Sequence, residues 1–187
     1  MGLNDWPGRA VAVSMRQWST LEATAERAAN VDALEGLILL GSFASGTPDE
    51  LSDIDVIAVA APGRFAEAWD TRDRLSQDAL VAWDLRPTAH IAGHNWLTRD
   101  FVKVDCTIID PDSGSRELAE PIVVLVGSRS VADRFPRISL ETVRERARKI
   151  ADEQDQHVYD PDEMDVGELI DWKLSELKRA VRRALHG

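Results

Sequence analysis

The stretch Gly41-Ser-Phe-Ala-Ser-Gly-Thr-Pro-Asp-Glu-Leu-Ser-Asp-Ile-Asp55 lies between two short apolar runs, residues 37–40 and 56–59. The runs predict two buried strands, and the Gly-Ser pair predicts a tight turn after the first one. Side chains two positions apart in a strand point to the same face, so Asp53 and Asp55 should project together. Two neighbouring carboxylates repel each other unless a cation lies between them, and Mg²⁺ prefers such oxygen ligands. The pattern therefore predicts metal-assisted chemistry on a nucleotide, beside a loop whose backbone N–H groups can approach phosphate.

Each half of this pattern is common by itself, whereas the two halves at this spacing are specific. Ten residues separate Ser42 from Asp53, and an apolar residue precedes Gly41 and follows each aspartate. In these features the chain resembles the DNA polymerase beta-like nucleotidyltransferase superfamily, whose signature is an apolar residue, Gly-Ser, a loop of this length, and Asp-h-Asp-h with h apolar. It is also similar to the longer signature of small bacterial nucleotidyltransferases, which adds three small residues: Ala44, Gly46 and Ser52.

A third carboxylate, Asp105, lies in a later strand candidate over 101–109, which is rich in β-branched and aromatic residues. An aspartate in the middle of such a run is costly to bury unless it is paired or binds a metal. The resemblance implies that Asp53, Asp55 and Asp105 are catalytic and hold two Mg²⁺ ions. It also implies that Asp105 accepts the proton of the attacking hydroxyl, and that the ions hold this hydroxyl and the leaving pyrophosphate.

Three further residues are candidates for contacts with the nucleotide: Gly41, Ser42 and Lys103. Gly41 would let the backbone come close to the triphosphate, and Ser42 would add a hydroxyl and an N–H at the start of a helical turn. Lys103 shares a strand face with the third carboxylate and is expected to contact a phosphate, with a solvated surface charge as the alternative. His90 and His94 precede that strand and could line the cleft, with ordinary loop or core positions as the alternative.

Composition limits the classes of protein to which the chain can belong. Its 187 residues, 44% hydrophobic and 29% charged, suffice for one compact core with a small helical appendage. No run approaches the roughly 20 apolar residues of a membrane helix, and no basic start with an apolar stretch indicates a secretory signal. The single cysteine, Cys106, predicts a buried thiol in a reducing cytoplasm, and four scattered histidines do not suggest zinc. The net charge of −11 argues against nucleic acid as a partner and suits a cationic small substrate.

The order of predicted elements indicates an α/β fold, a mixed sheet flanked by helices. Apolar spacing predicts helices over 7–30 and 65–75, and strands over 37–40, 56–59, 80–85, 88–92, 101–109 and 122–126. After Ser139 the pattern becomes helical, in two stripes separated by a break at 159–162. We therefore expect a nucleotidyltransferase domain over 1–137 and a C-terminal segment of two helices over 138–187. Basic residues on the last helix suit its C-terminal dipole, with a partner or phosphate contact as the alternative.

The resemblance implies transfer of a nucleoside monophosphate from an NTP, with ATP expected, to a hydroxyl of a small-molecule acceptor, as in the aminoglycoside and lincosamide nucleotidyltransferases. The alternative from another class is an antitoxin-like minimal nucleotidyltransferase that binds and modifies a partner protein. Those antitoxins tend to be shorter and to lack the helical appendage, which favours the first interpretation. A cationic acceptor could meet acidic residues of the C-terminal segment: Glu153, Asp155 and Glu163. A homodimer remains open.

Overall fold

The computed structural model describes residues 14–85, 88–112, 117–139, 141–143, 145–146 and 166–186. By its internal contacts the chain divides into two compact units, Met1–Val143 and Arg144–Gly187. The described helices are α1 (Met15–Ala29), α2 (Gly41–Ala44), α3 (Phe65–Asp70), α4 (Ser130–Asp133) and α5 (Val166–His186), with a 3₁₀ turn at Arg72–Arg74. The described strands are β1 (Leu34–Leu39), β2 (Ile54–Ala60), β3 (Ala79–Leu85), β4 (Ile91–Thr98), β5 (Lys103–Ile109), β6 (Leu118–Ala119), β7 (Val123–Val126) and β8 (Arg137–Ile138).

Six of these strands form one mixed sheet in the order β3-β4-β5-β2-β1-β7. Strands β2 and β5 run parallel at its centre, and the other neighbouring pairs are antiparallel. Strands β6 and β8 form a separate parallel pair. The predicted mixed α/β sheet with flanking helices is therefore confirmed.

The alternation of side chains along β2 explains how the sheet is covered. Its even-numbered residues join a core cluster that includes α1 residues from Trp18 to Ala28. On the opposite face, Ile57 and Val59 pack in a second cluster with Val131 and Phe135, around α4. Since Asp55 is in phase with Ile57 and Val59, its carboxylate lies on this second face, at the end of the apolar patch. The sheet thus places a polar site at the point where β2 begins.

Two strands begin at least two residues later than the sequence-based predictions. The predicted strand over 88–92 begins only at Ile91 and continues to Thr98, so His94 lies within β4 and not between strands. The Thr88 hydroxyl oxygen accepts a hydrogen bond from the Ile91 N–H, and this side-chain turn explains why β4 begins only at Ile91. The strand predicted over 101–109 begins at Lys103, because Phe101 has a φ of 60°, a left-handed conformation that ends a turn.

The second unit is described only over 145–146 and 166–186. Its helix α5 begins at Val166 and ends at His186, inside the segment predicted to be helical. The Lys173 ammonium lies 4.0 Å from the centroid of the Trp172 ring, a cation–π contact within the helix. Glu153, Asp155 and Glu163, the predicted acidic contacts for an acceptor, lie outside the described residues. The division between the units falls after Val143, whereas the sequence pattern placed it after residue 137. In the described part of the chain, no helix is long and apolar enough to cross a membrane.

Candidate active site

The two central strands bring two of the predicted carboxylates side by side. In the parallel β2–β5 pair, Asp55 is the register partner of Asp105. On the other side of β5, the buried Asn95 is the register partner of Asp105. Asp53 lies one residue before β2 and is in phase with Asp55. All three aspartates that the sequence singled out therefore lie on one face, at the edge where β2 and β5 begin.

The turn before this edge is built around Gly41. Its φ is +65°, which residues with a side chain rarely adopt, and an added Cβ would lie 2.1 Å from the Asp55 Oδ2 atom. The turn is also tied to β2 by the Leu40 N–H, which donates to the backbone oxygen of Asp55 at 2.9 Å. The Gly-Ser turn and the second aspartate of the motif are therefore in direct contact, although twelve residues separate Ser42 from Asp55 in the sequence.

Ser42 is the second residue of α2, the short helix that follows this turn. The helix closes with the Ser45 N–H donating to the Gly41 oxygen and the Thr47 N–H donating to the Ser42 oxygen. The Ser45 hydroxyl also donates to the Ser42 oxygen, at 3.0 Å. The first N–H groups of a helix have no acceptor within it, so those of Gly41 and Ser42 are suited to an anion. Contact of either residue with a triphosphate remains a prediction.

Lys103 is buried, so the alternative interpretation of this residue as a solvated surface charge does not hold. Its side chain is only 3% exposed, and its Nζ lies 2.9 Å from Asp105 Oδ1 and 3.9 Å from Asp53 Oδ2. A buried ammonium is costly unless carboxylates balance its charge, and these two do so. Its expected contact with a phosphate remains a prediction. What the geometry adds is an internal ion pair with two of the three carboxylates.

The surroundings of Asp55 shift the pKa of its carboxyl group. Burial and the nearby Asp105 carboxylate raise its pKa from 3.8 to about 6, and Lys103 opposes the rise. Without a bound cation, the ionised form of Asp55 is therefore destabilised by its surroundings. A bound cation would stabilise the ionised form.

The loop that leads to Asp53 is held by Gln17, which the sequence analysis did not identify. The Gln17 amide donates to the backbone oxygens of Asp49 and Ser52, both at 2.9 Å. Its Oε1 accepts from the N–H and hydroxyl of Ser14, within the capping box that begins α1. The Ser-x-x-Gln spacing was a visible capping signal, but its second role in positioning the loop depends on tertiary packing.

His94 does not line the cleft, and this corrects the sequence-based hypothesis. It pairs in register with Cys106, whose side chain belongs to the face opposite Asp105. There its Nδ1 lies 2.8 Å from Asp84 Oδ1 and its Nε2 lies 2.8 Å from the Ser76 hydroxyl. Arg72 donates to both oxygens of the same Asp84 carboxylate. His90 lies outside this group, before β4, with its Nδ1 3.5 Å from Asp110 Oδ2.

The charges of this cluster fix the tautomer of His94. Burial lowers its pKa, although Asp84 opposes the change, so the ring is neutral at pH 7. Because a carboxylate only accepts, Nδ1–H donates to Asp84, and Nε2 accepts from the Ser76 hydroxyl. The order of groups is that of a Ser-His-Asp triad, but Ser76 and His94 are both buried. We assign the cluster to stability, as a polar link between β3, β4 and the 3₁₀ turn.

His94→Ala should therefore lower the free energy of unfolding by about 2–4 kcal/mol, since it removes two buried hydrogen bonds and packing against Trp96. Urea denaturation measures the change. The matched control is His90→Ala, because His90 is 55% exposed and should change stability by less than about 0.5 kcal/mol. Loss of activity in a His94→Ala protein that remains as stable as the wild type would contradict this assignment and return His94 to the site.

The residues at this edge suit a divalent cation. Three carboxylates are the hard oxygen donors that Mg²⁺ prefers, and Gly41 leaves no space for a side chain between the turn and Asp55. Within the described ranges, no three His, Cys, Asp or Glu side chains already converge as a ready-made ion site. The carboxylate oxygens are suitable ligands for Mg²⁺, while the Lys103 ammonium lies near two of these carboxylates, Asp53 and Asp105.

The sequence matches a known protein family over part of its length. Residues 22–109 match the family model described as nucleotidyltransferase domain. That segment contains all six predicted site residues: Gly41, Ser42, Asp53, Asp55, Lys103 and Asp105. A comparison with curated proteins gave no match. Nucleotidyltransferases of this fold use an NTP and a divalent metal.

Several solved structures are similar to part of this chain at low identity. They include Cid1, described for its RNA terminal uridylyl transferase activity, with 15% identity over 54% of this chain and 33% of that one, at a TM-score of 0.42. A cytoplasmic RNA terminal U-transferase is 14% identical over 54% of this chain and 32% of its own, with a TM-score of 0.41. The Cid1 poly(U) polymerase with MgGTP bound is 15% identical over 54% of this chain and 35% of its own, with a TM-score of 0.39. The chain thus spans about a third of the length of these proteins.

Proposed function

We propose that this chain, in which residues 22–109 form a nucleotidyltransferase domain, transfers a nucleoside monophosphate from an NTP to a hydroxyl of a small acceptor, with release of pyrophosphate. The observation that carries the proposal is the register match of Asp55 with Asp105, in contact with the Gly41 turn. Strand register and turn geometry bring together an acidic pair and a backbone suited to phosphate. A nucleotidyl transfer site needs both.

Asp53, Asp55 and Asp105 form the acidic group at which Mg²⁺ would bind. When bound, the cation would neutralise phosphate charge and favour departure of pyrophosphate. The raised pKa of Asp55 supports this assignment, since a buried carboxylate beside another one gains most from a cation.

The chain's own groups have separable roles in this proposal. The N–H groups at the start of α2 and the Ser42 hydroxyl would bind the triphosphate, with Gly41 permitting the close approach. Asp105 would accept the proton of the acceptor hydroxyl as the new P–O bond forms and the bond to pyrophosphate breaks. Asp55 and Asp53 would keep the reacting phosphorus in line between the incoming and leaving oxygens.

The acceptor we propose is small and cationic. The net charge of −11 disfavours approach of a polyanion, and Lys103 is buried in ion pairs and so does not add to a surface for nucleic acid. ATP is the donor expected from the resemblance.

Incubation with each of the four α-labelled NTPs and a panel of acceptors tests the proposal. The panel should contain aminoglycosides, lincosamides, tRNA, a short single-stranded RNA and proteins co-purified with the chain. We expect label on a small molecule and pyrophosphate in equal amount. Label on RNA or on a protein, with none on any small molecule, would reject the small acceptor. Label on a protein would favour the antitoxin-like alternative in place of the small acceptor.

A further inference from the structure

Lys103 lies where a cation of the proposed site would be expected. Its ammonium is 2.9 Å from Asp105 Oδ1 and 3.9 Å from Asp53 Oδ2. A two-metal site places two divalent ions about 3.5–4 Å apart, with carboxylates shared between them. The ammonium in contact with Asp105 Oδ1 takes the place that a divalent ion bound to that oxygen would occupy.

The lysine is also fixed in this place. Its side chain is 3% exposed, so withdrawing the ammonium from the carboxylates would leave a buried charge without the groups that balance it. Movement of Lys103 toward solvent is therefore unfavourable in the folded protein.

We propose that Lys103 is a built-in substitute for one of the two cations of this active site. This inference rests on the proposed function. One divalent cation binds at Asp53 and Asp55, and the Lys103 ammonium supplies the positive charge at Asp105 in place of the second. Three carboxylates and one ammonium leave a net site charge of about −2, which one divalent ion balances.

An ammonium supplies charge and hydrogen bonds but no open coordination position. The attacking hydroxyl would then be oriented by Asp105, itself held by Lys103, and not by direct binding to a second ion. Lys103 is a positioning residue in this account, because it acts through Asp105. The number of ions that the protein binds is the readout that a merely structural role would not change.

Mn²⁺ binding, counted by electron paramagnetic resonance and by calorimetry, tests the inference without any turnover. We expect one Mn²⁺ for each wild-type chain, with and without a non-hydrolysable NTP analogue. Lys103→Met, which keeps length and removes charge, should bind two, the second at least about tenfold more tightly than any second ion in the wild type. The matched control is Lys173→Met on α5, an exposed lysine, which should bind one.

The outcomes separate this inference from the proposed function. Two Mn²⁺ ions in the wild type would overturn the substitution while leaving nucleotidyl transfer intact. No Mn²⁺ at any concentration tested, together with no turnover, would overturn the proposed function itself. If Lys103→Met does not fold, the wild-type count still decides the matter, and Lys103→Gln provides a second variant with the same expected gain of an ion.

Discussion

Asp55→Asn should lower the rate of nucleotidyl transfer by at least about a thousandfold, because it removes a charge on which cation binding and phosphate alignment depend. The same change should make the metal-free protein more stable at neutral pH. Burial and Asp105 raise the pKa of Asp55 to about 6, so ionised Asp55 destabilises the fold. At pH 7.5 the gain should be about 1–3 kcal/mol, since one pKa unit corresponds to about 1.4 kcal/mol.

The sign of the pH dependence follows from the direction of the shift. The folded-state pKa of Asp55 lies above its ordinary value of 3.8, so the folded protein binds the proton more tightly than the unfolded chain. The cost of ionisation is complete above pH 6 and disappears as the pH falls toward 4. The stability difference between Asp55→Asn and the wild type should shrink over the same range, as measured by denaturant unfolding in a chelator. A gain that is independent of pH would show that burial of Asp55 is not its cause.

Asp100→Asn is the matched control for the loss of activity. Asp100 is exposed in the turn before β5 and is no part of the site, so both rate and stability should stay near the wild-type values. Asp53→Asn should lose activity as Asp55→Asn does.

Gly41→Ala should lower NTP affinity and turnover by at least about a hundredfold. An alanine Cβ would lie 2.1 Å from Asp55 Oδ2, so either the turn or the carboxylate must move. The positive φ adds a backbone cost of about 1–2 kcal/mol to folding. Calorimetric NTP binding and thermal unfolding measure the two effects separately.

Gly46→Ala isolates the clash from the backbone cost. Gly46 has a φ of +71°, close to that of Gly41, but an added Cβ would meet nothing within 4 Å. The two variants should lose similar stability from the left-handed backbone, and only Gly41→Ala should lose NTP affinity. Equal affinities in the two variants would mean that the Gly41 turn merely connects strands.

The mixed sheet and the shared face of Asp53 and Asp55 were predictable from the sequence because both depend on local rules, whereas the resemblance alone implied that Asp105 joins them. Strand period places Asp53 in phase with Asp55, and β-branched runs define β2 and β5. The direct register of Asp55 with Asp105 was not predictable, since the alignment of two parallel strands depends on the whole sheet. The alternation within β5 did predict that Lys103 accompanies Asp105, but its burial depends on how neighbouring elements cover it.

The wrong placement of His94 and the omission of Gln17 have the same cause, since both depend on contacts between segments distant in the sequence. His94 was placed near the cleft because its position in the chain precedes Asp105, yet one residue of register decides the face of a strand. Asn95, the next residue, is the one that stands across from Asp105. Gln17 was missed because its role in holding the loop before Asp53 joins segments more than thirty residues apart.

The central claim is that these aspartates carry nucleotidyl transfer. It is tested most directly by incubating wild-type protein and Asp55→Asn with NTP labelled at the α or the γ phosphate, in the presence of the acceptor panel. The account predicts that α label, and no γ label, moves to an acceptor in the wild type, and that Asp55→Asn transfers neither. Movement of γ label, or undiminished transfer of α label by Asp55→Asn, would contradict it.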